Sequence, residues 1–418
     1  MQNVNVLFVG IGARGYGYLE LLLSMEEVNV LAVCDLYEDR LKNGVKLVED
    51  KKGNTPLAST NYKELIDNKD LDCVFVVSDW TSHVEICLAG LENGLYVATE
   101  VGGATSINQC WELVRTSERT GKPCMMLENC CYNREEMTVL NMVKKGLFGE
   151  LVHCEGGYRH DLRDEVALGN VNRHYRLKNY KHRNGDVYPT HEIGPIAKYL
   201  DINRGNRFIS LTSTASKSVG IPQWIKDNKG EDFENANFKF ALGDVVTTVI
   251  KCAHGETITL YHDTSLPRPY SRANLVQGTK GIWSEDKHAI YIEGLSPKGN
   301  NWWGHEWDDI ENYYEKFEHP LWKEYRSEGV RAGHGGMDYL VQRAFITSVM
   351  NQTNTPIDVY DTATWMAITP LSENSISCGS MPMPIPDFTN GKWLDREPIL
   401  EGKFCLNKIC EDSYDGTL

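Results

Sequence analysis

N-V-L-F-V-G-I-G-A-R-G, residues 5–15, is the stretch of sequence that decides the fold. Its first part, residues 5–10, is a continuous apolar run, which predicts a short buried strand. Its second part, residues 10–15, has the spacing G-x-G-x-x-G and leads into a helix-like segment over residues 17–25. A strand, a glycine-rich turn and a helix in this order are typical of a domain that binds a dinucleotide.

Each glycine of this turn has a separate physical task. Gly10 permits the tight turn, Gly12 lets the backbone approach a pyrophosphate, and Gly15 lets the helix pack closely on the strand. Asp35 ends a second apolar run, twenty residues beyond Gly15, where a carboxylate binds the ribose hydroxyls. Because Asp35 would repel a 2′-phosphate, the sequence favours NAD over NADP as the cofactor.

Two residues of this region have alternative interpretations. Asp35 taken alone is also compatible with a solvated acid at the end of a strand. Arg14, inside the turn, is predicted either to lie over the adenine or the phosphates of the cofactor or to be a solvated arginine. The sequence does not decide between these two environments for Arg14.

Further apolar runs follow at residues 71–78, 96–100 and 122–128, with helix-length segments between them. Strands that alternate with helices predict a doubly wound parallel sheet that is buried on both faces. We therefore predict a dinucleotide-binding Rossmann domain over residues 1–128.

The remaining residues, 129–418, have a different pattern. A helix is predicted over residues 134–145, and closely spaced strand-like runs follow at residues 150–158, 245–252 and 257–263. Such spacing favours a mostly antiparallel sheet with helices on one side, in a second domain that includes a C-terminal tail. Residues 381–386, M-P-M-P-I-P, cannot form a helix because proline lacks the backbone donor.

Composition excludes several classes of protein. The chain has 418 residues, of which 41% are hydrophobic, so it is not mainly disordered. Its formal net charge of −15 argues against a nucleic-acid partner, and it has no apolar run long enough to predict a membrane span. Twelve scattered cysteines without a C-x-x-C pair, and no leader at Met1, favour a reducing cytoplasm. A chain exported after loss of a leader would look the same.

The glycine turn and Asp35, together with the two motifs described next, resemble the Gfo/Idh/MocA oxidoreductase superfamily. Its members join a Rossmann domain to a domain with an open-faced, mostly antiparallel sheet, which implies that residues 129–418 form the substrate-binding domain. Residues 78–83, S-D-W-T-S-H, stand where the superfamily has a T-P-x-x-x-H-like element. Glu100-Val101-Gly102 stands where it has E-K-P, so the lysine is missing. In that superfamily the lysine helps to move the hydroxyl proton in net alcohol oxidation, and its absence argues against an ordinary dehydrogenase.

Within that superfamily the chain resembles glycoside hydrolase family 109, the NAD-dependent alpha-N-acetylgalactosaminidases. Besides Glu100-Val101, the resemblance is carried by G-G-Y-R-H-D-L-R (156–163), H-Y-R-L (174–177), Y-P-T-H-E-I-G-P (188–195), S-L-P-R-P-Y-S-R (265–272) and H-G-G-M-D (334–338). The resemblance implies that a small carbohydrate is bound by Tyr158, Arg176, Tyr188 and Tyr270. With the glycine turn, it implies that NAD is bound by Gly10, Gly12, Ala13, Arg14, Gly15, Asp35, Trp80, His83, Glu100, Val101, Asn129, Tyr188 and His191.

A bound NAD offers a route to glycosidic cleavage without net redox chemistry. Transient oxidation of the sugar C3 to a ketone acidifies the C2 hydrogen, so that the C1 substituent can leave by elimination. Water addition and re-reduction complete hydrolysis of the N-acetylgalactosaminide. The predicted catalytic residues are His191, Tyr158 and Tyr270. Histidine is the more accessible base, because its ordinary pKa is about 6.5 against about 10 for tyrosine.

Other interpretations stay open at this point. His191 is also compatible with a helix cap, and Tyr158 and Tyr270 with buried core aromatics. Paired-carboxylate hydrolysis could use acids from Asp161, Asp164, Glu165 and Glu192. Different functions are a sugar or cyclitol dehydrogenase of the same superfamily and a sugar-sensing or scaffold protein that holds NAD.

Three further expectations concern partners and ligands. The histidines lack metal-ligand spacing, so no metal site is predicted. The aromatic run Trp302, Trp303, Trp307, Tyr313 and Tyr314 is interpreted as a core or subunit contact, with a sugar platform as the alternative. A homodimer is predicted, since superfamily members bury the open face of the sheet against another subunit.

Overall fold

The strands are short and fall into two sheets, in a computed structural model that describes residues 3–299, 302–331, 333–398 and 402–407. In chain order the strands are β1 (Val4–Val9), β2 (Val28–Cys34), β3 (Leu57–Ser59), β4 (Cys73–Val76), β5 (Tyr96–Thr99), β6 (Cys124–Met126), β7 (Leu151–Arg159), β8 (Phe208–Ala215), β9 (Val245–Cys252), β10 (Thr257–Asp263), β11 (Leu275–Gly278), β12 (Gly281–Ser284), β13 (Ala289–Ile292), β14 (Asp308–Asp309) and β15 (Met383–Pro384).

The helices vary from one to four turns. In chain order they are α1 (Ala13–Leu23), α2 (Glu38–Lys52), α3 (His83–Glu92), α4 (Ile107–Thr120), α5 (Arg134–Lys144), α6 (Arg163–Ala167), α7 (Gly169–Asn172), α8 (Tyr175–His182), α9 (Thr190–Tyr199), α10 (Gly220–Lys229), α11 (Glu311–Phe317), α12 (Pro320–Glu328), α13 (Met337–Asn351), α14 (Val359–Met366) and α15 (Ile368–Ser377). Short 3-10 helices form at Tyr62–Glu64, Asn129–Tyr132, His334–Gly336 and Lys392–Leu394.

The described residues form two compact units. Unit 1 contains residues 3–137, 319–364 and the described part of 397–407, and unit 2 contains residues 138–318 and 365–396 apart from the undescribed positions. The chain thus returns to unit 1 near residue 319. This division into units does not test the predicted domain boundary between residues 128 and 129, which remains a prediction.

Unit 1 is built on a parallel sheet with the strand order β3-β2-β1-β4-β5-β6. Every residue of β4, β5 and β6 is buried, as expected of strands covered by helices on both faces. The predicted doubly wound sheet is confirmed. The order reverses between β1 and β4, and the glycine turn that follows β1 lies at this switch point, where such sheets bind ligands.

Helix α1 begins earlier than predicted. Its first residue is Ala13 rather than residue 17, and Gly12 is its N-cap. The segment carries Gly15 and Gly17, whose low helix propensity obscures the start in the sequence. The first turn of the helix therefore contains Gly15, the last glycine of the fingerprint.

Helix α13 joins unit 1 from far along the chain. Phe345 on α13 packs edge-on against Phe75 of β4, with ring centroids 5.1 Å apart. The Gln342 side chain donates to the backbone carbonyl of Tyr18 on α1, at 3.1 Å. These buried contacts fix the middle of α13 relative to α1 and β4.

Unit 2 is built on a nine-stranded sheet with the order β14-β13-β12-β11-β7-β10-β9-β8-β15. Strands β7 and β10 are parallel and the other neighbours are antiparallel, so the predicted mostly antiparallel sheet is confirmed. Helix α9 packs so closely on β7 that a Cβ on Gly156 would lie 2.4 Å from Cβ of Glu192. Glycine is needed there for the helix to approach the strand.

Among the described residues, we find no helix with both the length and the apolar character needed to span a bilayer.

Candidate functional site

The glycine turn of unit 1 has the geometry that its spacing predicts. Gly10 has a φ of +101°, and a Cβ there would lie 2.5 Å from the carbonyl of Val77. A Cβ on Gly15 would lie 2.0 Å from the carbonyl oxygen of Gly10. At Gly12 the nearest atom to an added Cβ, Nη1 of Arg40, is 3.5 Å away, which leaves an open cradle over the turn.

The first turn of α1 and the end of β2 border this cradle. Gly12 caps α1 without a side-chain hydrogen bond, and the first amides of a helix have no intrahelical acceptor. Such amides bind phosphate, and the helix dipole favours the same charge. Asp35 accepts hydrogen bonds from the amides of Ile11 at 2.6 Å and Tyr37 at 2.9 Å, which fixes a carboxylate beside the turn. These features fit the pyrophosphate and ribose of a dinucleotide.

Arg14 is held by carboxylates rather than by solvent. Its Nη2 lies 3.0 Å from Oε1 of Glu100 and 2.9 Å from Oδ1 of Asp338, and its Nη1 lies 2.7 Å from Oδ2 of Asp338. The guanidinium also lies over the ring of Tyr18, 4.3 Å from its centroid. Arg14, whose side chain is 35% exposed, is thus an ion-paired arginine, and its predicted contact with the cofactor stays a prediction.

Two loops that follow β4 and β5 meet in the same unit. A Cβ on Gly102 would lie 2.6 Å from Nε1 of Trp80, and a Cβ on Gly103 would lie 2.6 Å from Nδ1 of His83. The buried His83 places Nε2 at 2.9 Å from the carbonyl oxygen of Ser78. Burial lowers the pKa of His83, so this ring is a neutral packing residue under the loop.

The predicted residues of unit 2 gather in one aromatic cluster. The ring of Tyr158, on β7, lies 4.5 Å from Tyr188, 5.8 Å from His191 and 6.4 Å from Tyr270, measured between centroids. Tyr188 and His191 are 5.0 Å apart, near the start of α9. Tyr158 and Tyr188 are buried, whereas Tyr270 is 50% exposed. One side of the cluster is therefore open to solvent.

Arg176 supplies the positive charge of this cluster. Its guanidinium lies 5.2 Å from the ring centroid of Tyr188 and 5.9 Å from that of Tyr158. Its Nη1 donates to Oε1 of Glu165 at 2.6 Å. Burial opposes the charge, yet the tyrosines and Glu165 raise the pKa of Arg176 above its ordinary value, so it stays a cation.

Two histidines that sequence reasoning did not assign belong to the cluster. Nδ1 of His160 lies 3.3 Å from the hydroxyl of Tyr158, and its ring lies 5.1 Å from Tyr270. His160 follows Tyr158 by two residues, a spacing that places side chains on one face of a strand and could have identified it. His262 pairs with Tyr158 across β10 and β7, a long-range match that the sequence does not reveal. Burial and, to a lesser extent, Arg176 lower the pKa of His262 to about 3.

Three of the four candidate acids, Asp161, Glu165 and Glu192, are bound by an arginine or buried. Arg163 holds both carboxylate oxygens of Asp161, at 2.8 and 2.7 Å, and this hydrogen bonding lowers the pKa of Asp161. Glu165 is bound to Arg176, and Glu192 is buried against β7. A general acid needs a raised pKa, whereas Asp161 has a lowered one.

The aromatic run after residue 300 is not one feature. Tyr313 and Tyr314 are buried in unit 2, as a core contact requires. Trp302 is 89% exposed, and Trp303 and Trp307 are also exposed. The core interpretation thus holds for the two tyrosines only.

Comparison with known families divides the chain into two matches. Residues 4–128 match the oxidoreductase family with the NAD-binding Rossmann fold. Residues 132–395 match the C-terminal domain of glycosyl hydrolase 109. The first match agrees with the dinucleotide fingerprint of unit 1, and the chain therefore binds NAD.

The chain is similar in sequence to glycosidases and similar in fold to solved dehydrogenases. The alpha-N-acetylgalactosaminidase of Tannerella forsythia is 39% identical over 94% of this chain and 87% of its own length. That of Shewanella oneidensis is 37% identical over 96% and 88%. Levoglucosan dehydrogenase in complex with NADH and levoglucosan superposes with a TM-score of 0.69, at 15% identity, over 92% of this chain and 100% of its own. The myo-inositol 2-dehydrogenase of Lactobacillus plantarum gives 0.65, at 16% identity, over 92% and 100%. These two structures share the fold.

Proposed function

The chain belongs to glycosyl hydrolase family 109 and is an NAD-binding glycoside hydrolase, and we propose that it releases terminal alpha-linked N-acetylgalactosamine. We propose further that cleavage proceeds by transient oxidation at C3 of the sugar. The observation that carries the proposal is the cluster of His191, Tyr158, Tyr188, Tyr270 and Arg176 in a chain that also carries a dinucleotide turn. The names of the relatives, alpha-N-acetylgalactosaminidase, support N-acetylgalactosamine as the sugar that is released.

The residues of unit 1 that would hold NAD are those of the glycine turn and its neighbours. The amides at the start of α1 would bind the pyrophosphate, and Asp35 would bind the ribose hydroxyls. When bound, NAD supplies a hydride acceptor at the beginning of the cycle and a hydride donor at its end. Tyr188 and His191, which the family resemblance also assigns to the cofactor, lie in unit 2, and this role remains a prediction.

His191 is the proposed base. In the first turn of α9 it is only partly buried, and its ring contacts Tyr158 and Tyr188. It would take the proton of the C3 hydroxyl and release it to solvent from its exposed side. Once C3 is a ketone, the neutral imidazole would then take the proton on C2. Loss of the C2 proton as the C1–O bond breaks gives an enone. This elimination does not need an unusually strong acid to protonate the departing oxygen.

The tyrosines and Arg176 would bind the sugar and move the remaining protons. The guanidinium of Arg176 stays charged beside the rings of Tyr158 and Tyr188. Tyr158, whose hydroxyl contacts His160, would protonate the departing glycosidic oxygen. Tyr270, which is half exposed, would hydrogen-bond the sugar from the solvent side. Water then adds at C1, a proton returns to C2, and reduction of C3 restores the hydroxyl.

The experiment uses the purified, dialysed protein with aryl glycosides of N-acetylgalactosamine, galactose and N-acetylglucosamine in both anomers. We expect aglycone release from the alpha-N-acetylgalactosaminide, with no added NAD and no rise in NADH absorbance. NADH formation from free sugars on added NAD, without aglycone release from any glycoside, would contradict the proposal and indicate a dehydrogenase.

A further inference from the structure

The H-G-G-M-D motif, residues 334–338, has no part in the function proposed above, yet it ends at the most heavily bonded carboxylate of the Arg14 cluster. Asp338 is in the first turn of α13, with its side chain 4% exposed. Its Oδ2 accepts from Nη1 of Arg14 at 2.7 Å, and its Oδ1 accepts from Nη2 of Arg14 at 2.9 Å and from Nδ2 of Asn129 at 2.7 Å. Nδ1 of His334 lies 2.7 Å from Oδ2.

This carboxylate ties together three parts of unit 1. Arg14 is the second residue of α1, Asn129 begins the 3-10 helix after β6, and Glu100, at the end of β5, shares Arg14 with Asp338. A guanidinium bound by two carboxylates in fork geometry cannot rotate without breaking several charge-assisted hydrogen bonds. The side chain of Arg14 therefore anchors its own backbone, which lies in the phosphate-binding turn of α1.

Asp338 is ionised in this environment. Burial opposes the charge, but hydrogen bonds from His334 and Arg14 hold the pKa of Asp338 well below its usual range. Removal of the negative charge would leave Arg14 with Glu100 as its carboxylate partner in this cluster. The side chains of the cluster would keep their shape, but the charge-assisted hydrogen bonds from Arg14 to residue 338, which hold the start of α1, would be weakened.

The backbone before α13 has an unusual conformation that brings His334 to Asp338. Gly333, His334, Gly335 and Gly336 have φ values of +106°, +44°, +67° and +103°. Histidine rarely adopts a positive φ, and such a conformation persists when its surroundings compensate its energetic cost. Here His334 gains the contact with Asp338.

We propose that Asp338 is a positioning residue of the NAD site, acting through Arg14 to hold the amides at the start of α1 in the arrangement that binds the pyrophosphate. The proposal rests on NAD binding by unit 1 and not on the sugar chemistry of unit 2. Its failure is therefore separate from a failure of the proposed glycosidase activity.

The test measures how fast NAD bound to the full-length protein exchanges with isotopically labelled NAD. Asp338→Asn keeps the shape of the side chain and removes its charge, and we expect exchange about tenfold faster or more. Arg14→Gln is expected to show a similar acceleration. If Asp338 acts through Arg14, the double variant exchanges no faster than the faster single variant, whereas independent effects would multiply.

The matched control is Glu27→Gln. Glu27 is also a buried acid, and it pairs with Arg343 of the same helix α13, but it precedes β2 at the amino end of the sheet, away from the glycine turn. We expect unchanged NAD exchange in this variant. Equal acceleration in Glu27→Gln and Asp338→Asn would mean a general loss of packing and would overturn the proposal, as would wild-type exchange in Asp338→Asn.

A second variant covers the case in which Asp338→Asn does not fold. His334 is 58% exposed, so His334→Ala removes one partner of Asp338 with little effect on the core. We expect exchange about threefold faster in this variant. In that case, unchanged exchange in His334→Ala would overturn the proposal.

Discussion

Two histidines beside Tyr158 differ in what they can do. His262 is buried on β10 with its pKa lowered to about 3, so it stays neutral and supports the ring of Tyr158 from within unit 2. His191 is partly exposed at the start of α9 and can meet a ligand. This difference in burial, rather than residue type, makes His191 the proposed base.

Substitution of His191 by alanine is the sharpest change to a single residue. A missing general base costs about 100-fold or more, so we expect kcat to fall by at least that factor while NAD stays bound. His153→Ala is the control, because His153 is on the same strand as Tyr158 but bonds Thr257 outside the cluster. Aglycone release and NAD content are measured on both proteins. Full activity of His191→Ala would rule out the mechanism.

The raised pKa of Asp186 makes the stability of the protein depend on pH. Burial raises the pKa of this carboxyl to about 7, against an opposing hydrogen bond from the backbone of Tyr188. Since an unfolded Asp has a pKa of about 3.9, the folded state binds the extra proton between about pH 4 and pH 7. The stabilising contribution of protonated Asp186 is complete below pH 4 and is lost as the pH rises through 7.

The matching experiment compares urea unfolding of the wild type and Asp186→Asn. The amide cannot ionise, so the free energy of unfolding of the wild type should fall relative to the variant, by a few kcal/mol, between about pH 4 and pH 7. Parallel pH profiles for the two proteins would show that Asp186 ionises normally in the folded chain.

Among the elements, the strand–turn–helix of residues 4–23 is sensitive to the addition of a single methyl group. Gly10→Ala places a Cβ 2.5 Å from the Val77 carbonyl at a φ of +101°, so we expect a loss of several kcal/mol of stability and of bound NAD. Gly17→Ala, on the exposed side of α1 with no atom within 4 Å, is expected to raise the melting temperature slightly. Thermal unfolding checks both, and equal melting temperatures would contradict the argument.

The sequence predicts elements whose signal is local. The runs before Gly10 and Asp35 are apolar over their whole length because β1 and β2 are covered on both faces, and both strands are confirmed. Helices α11 and α12 have no such periodicity among their aromatic and charged residues, and no element was predicted for them. Their positions depend on contacts made far along the chain.

The candidate site shows the same limit. The motifs predict which residues matter, and the structure brings Tyr158, Arg176, Tyr188, His191 and Tyr270 together in unit 2. The pairing of Arg14 with Asp338 spans 324 residues, and no spacing rule connects two such positions. The sequence therefore predicts the family and its turn, but not the partner that decides the environment of Arg14.

At the scale of the whole molecule, the nine-stranded sheet predicts self-association. On the face away from α9 and α15, Val249 is exposed between Thr212 on β8 and Thr259 on β10. A broad, open sheet face is suited to an isologous contact, so we predict a dimer in solution. Val249→Lys should shift the mass from two chains to one, measured by light scattering. The control is Val171→Lys, at an exposed valine of α7, which should leave the measured mass unchanged. A monomeric wild type would contradict the prediction.

The central claim is that the glycosidic bond is cleaved by elimination after oxidation at C3, and hydrolysis in D₂O tests it most directly. The account predicts that the released N-acetylgalactosamine carries deuterium on C2, because the proton taken from C2 is replaced from solvent. Magnetic resonance of the product reads this position. Complete retention of hydrogen at C2 during full hydrolysis would contradict the account and indicate direct displacement at C1.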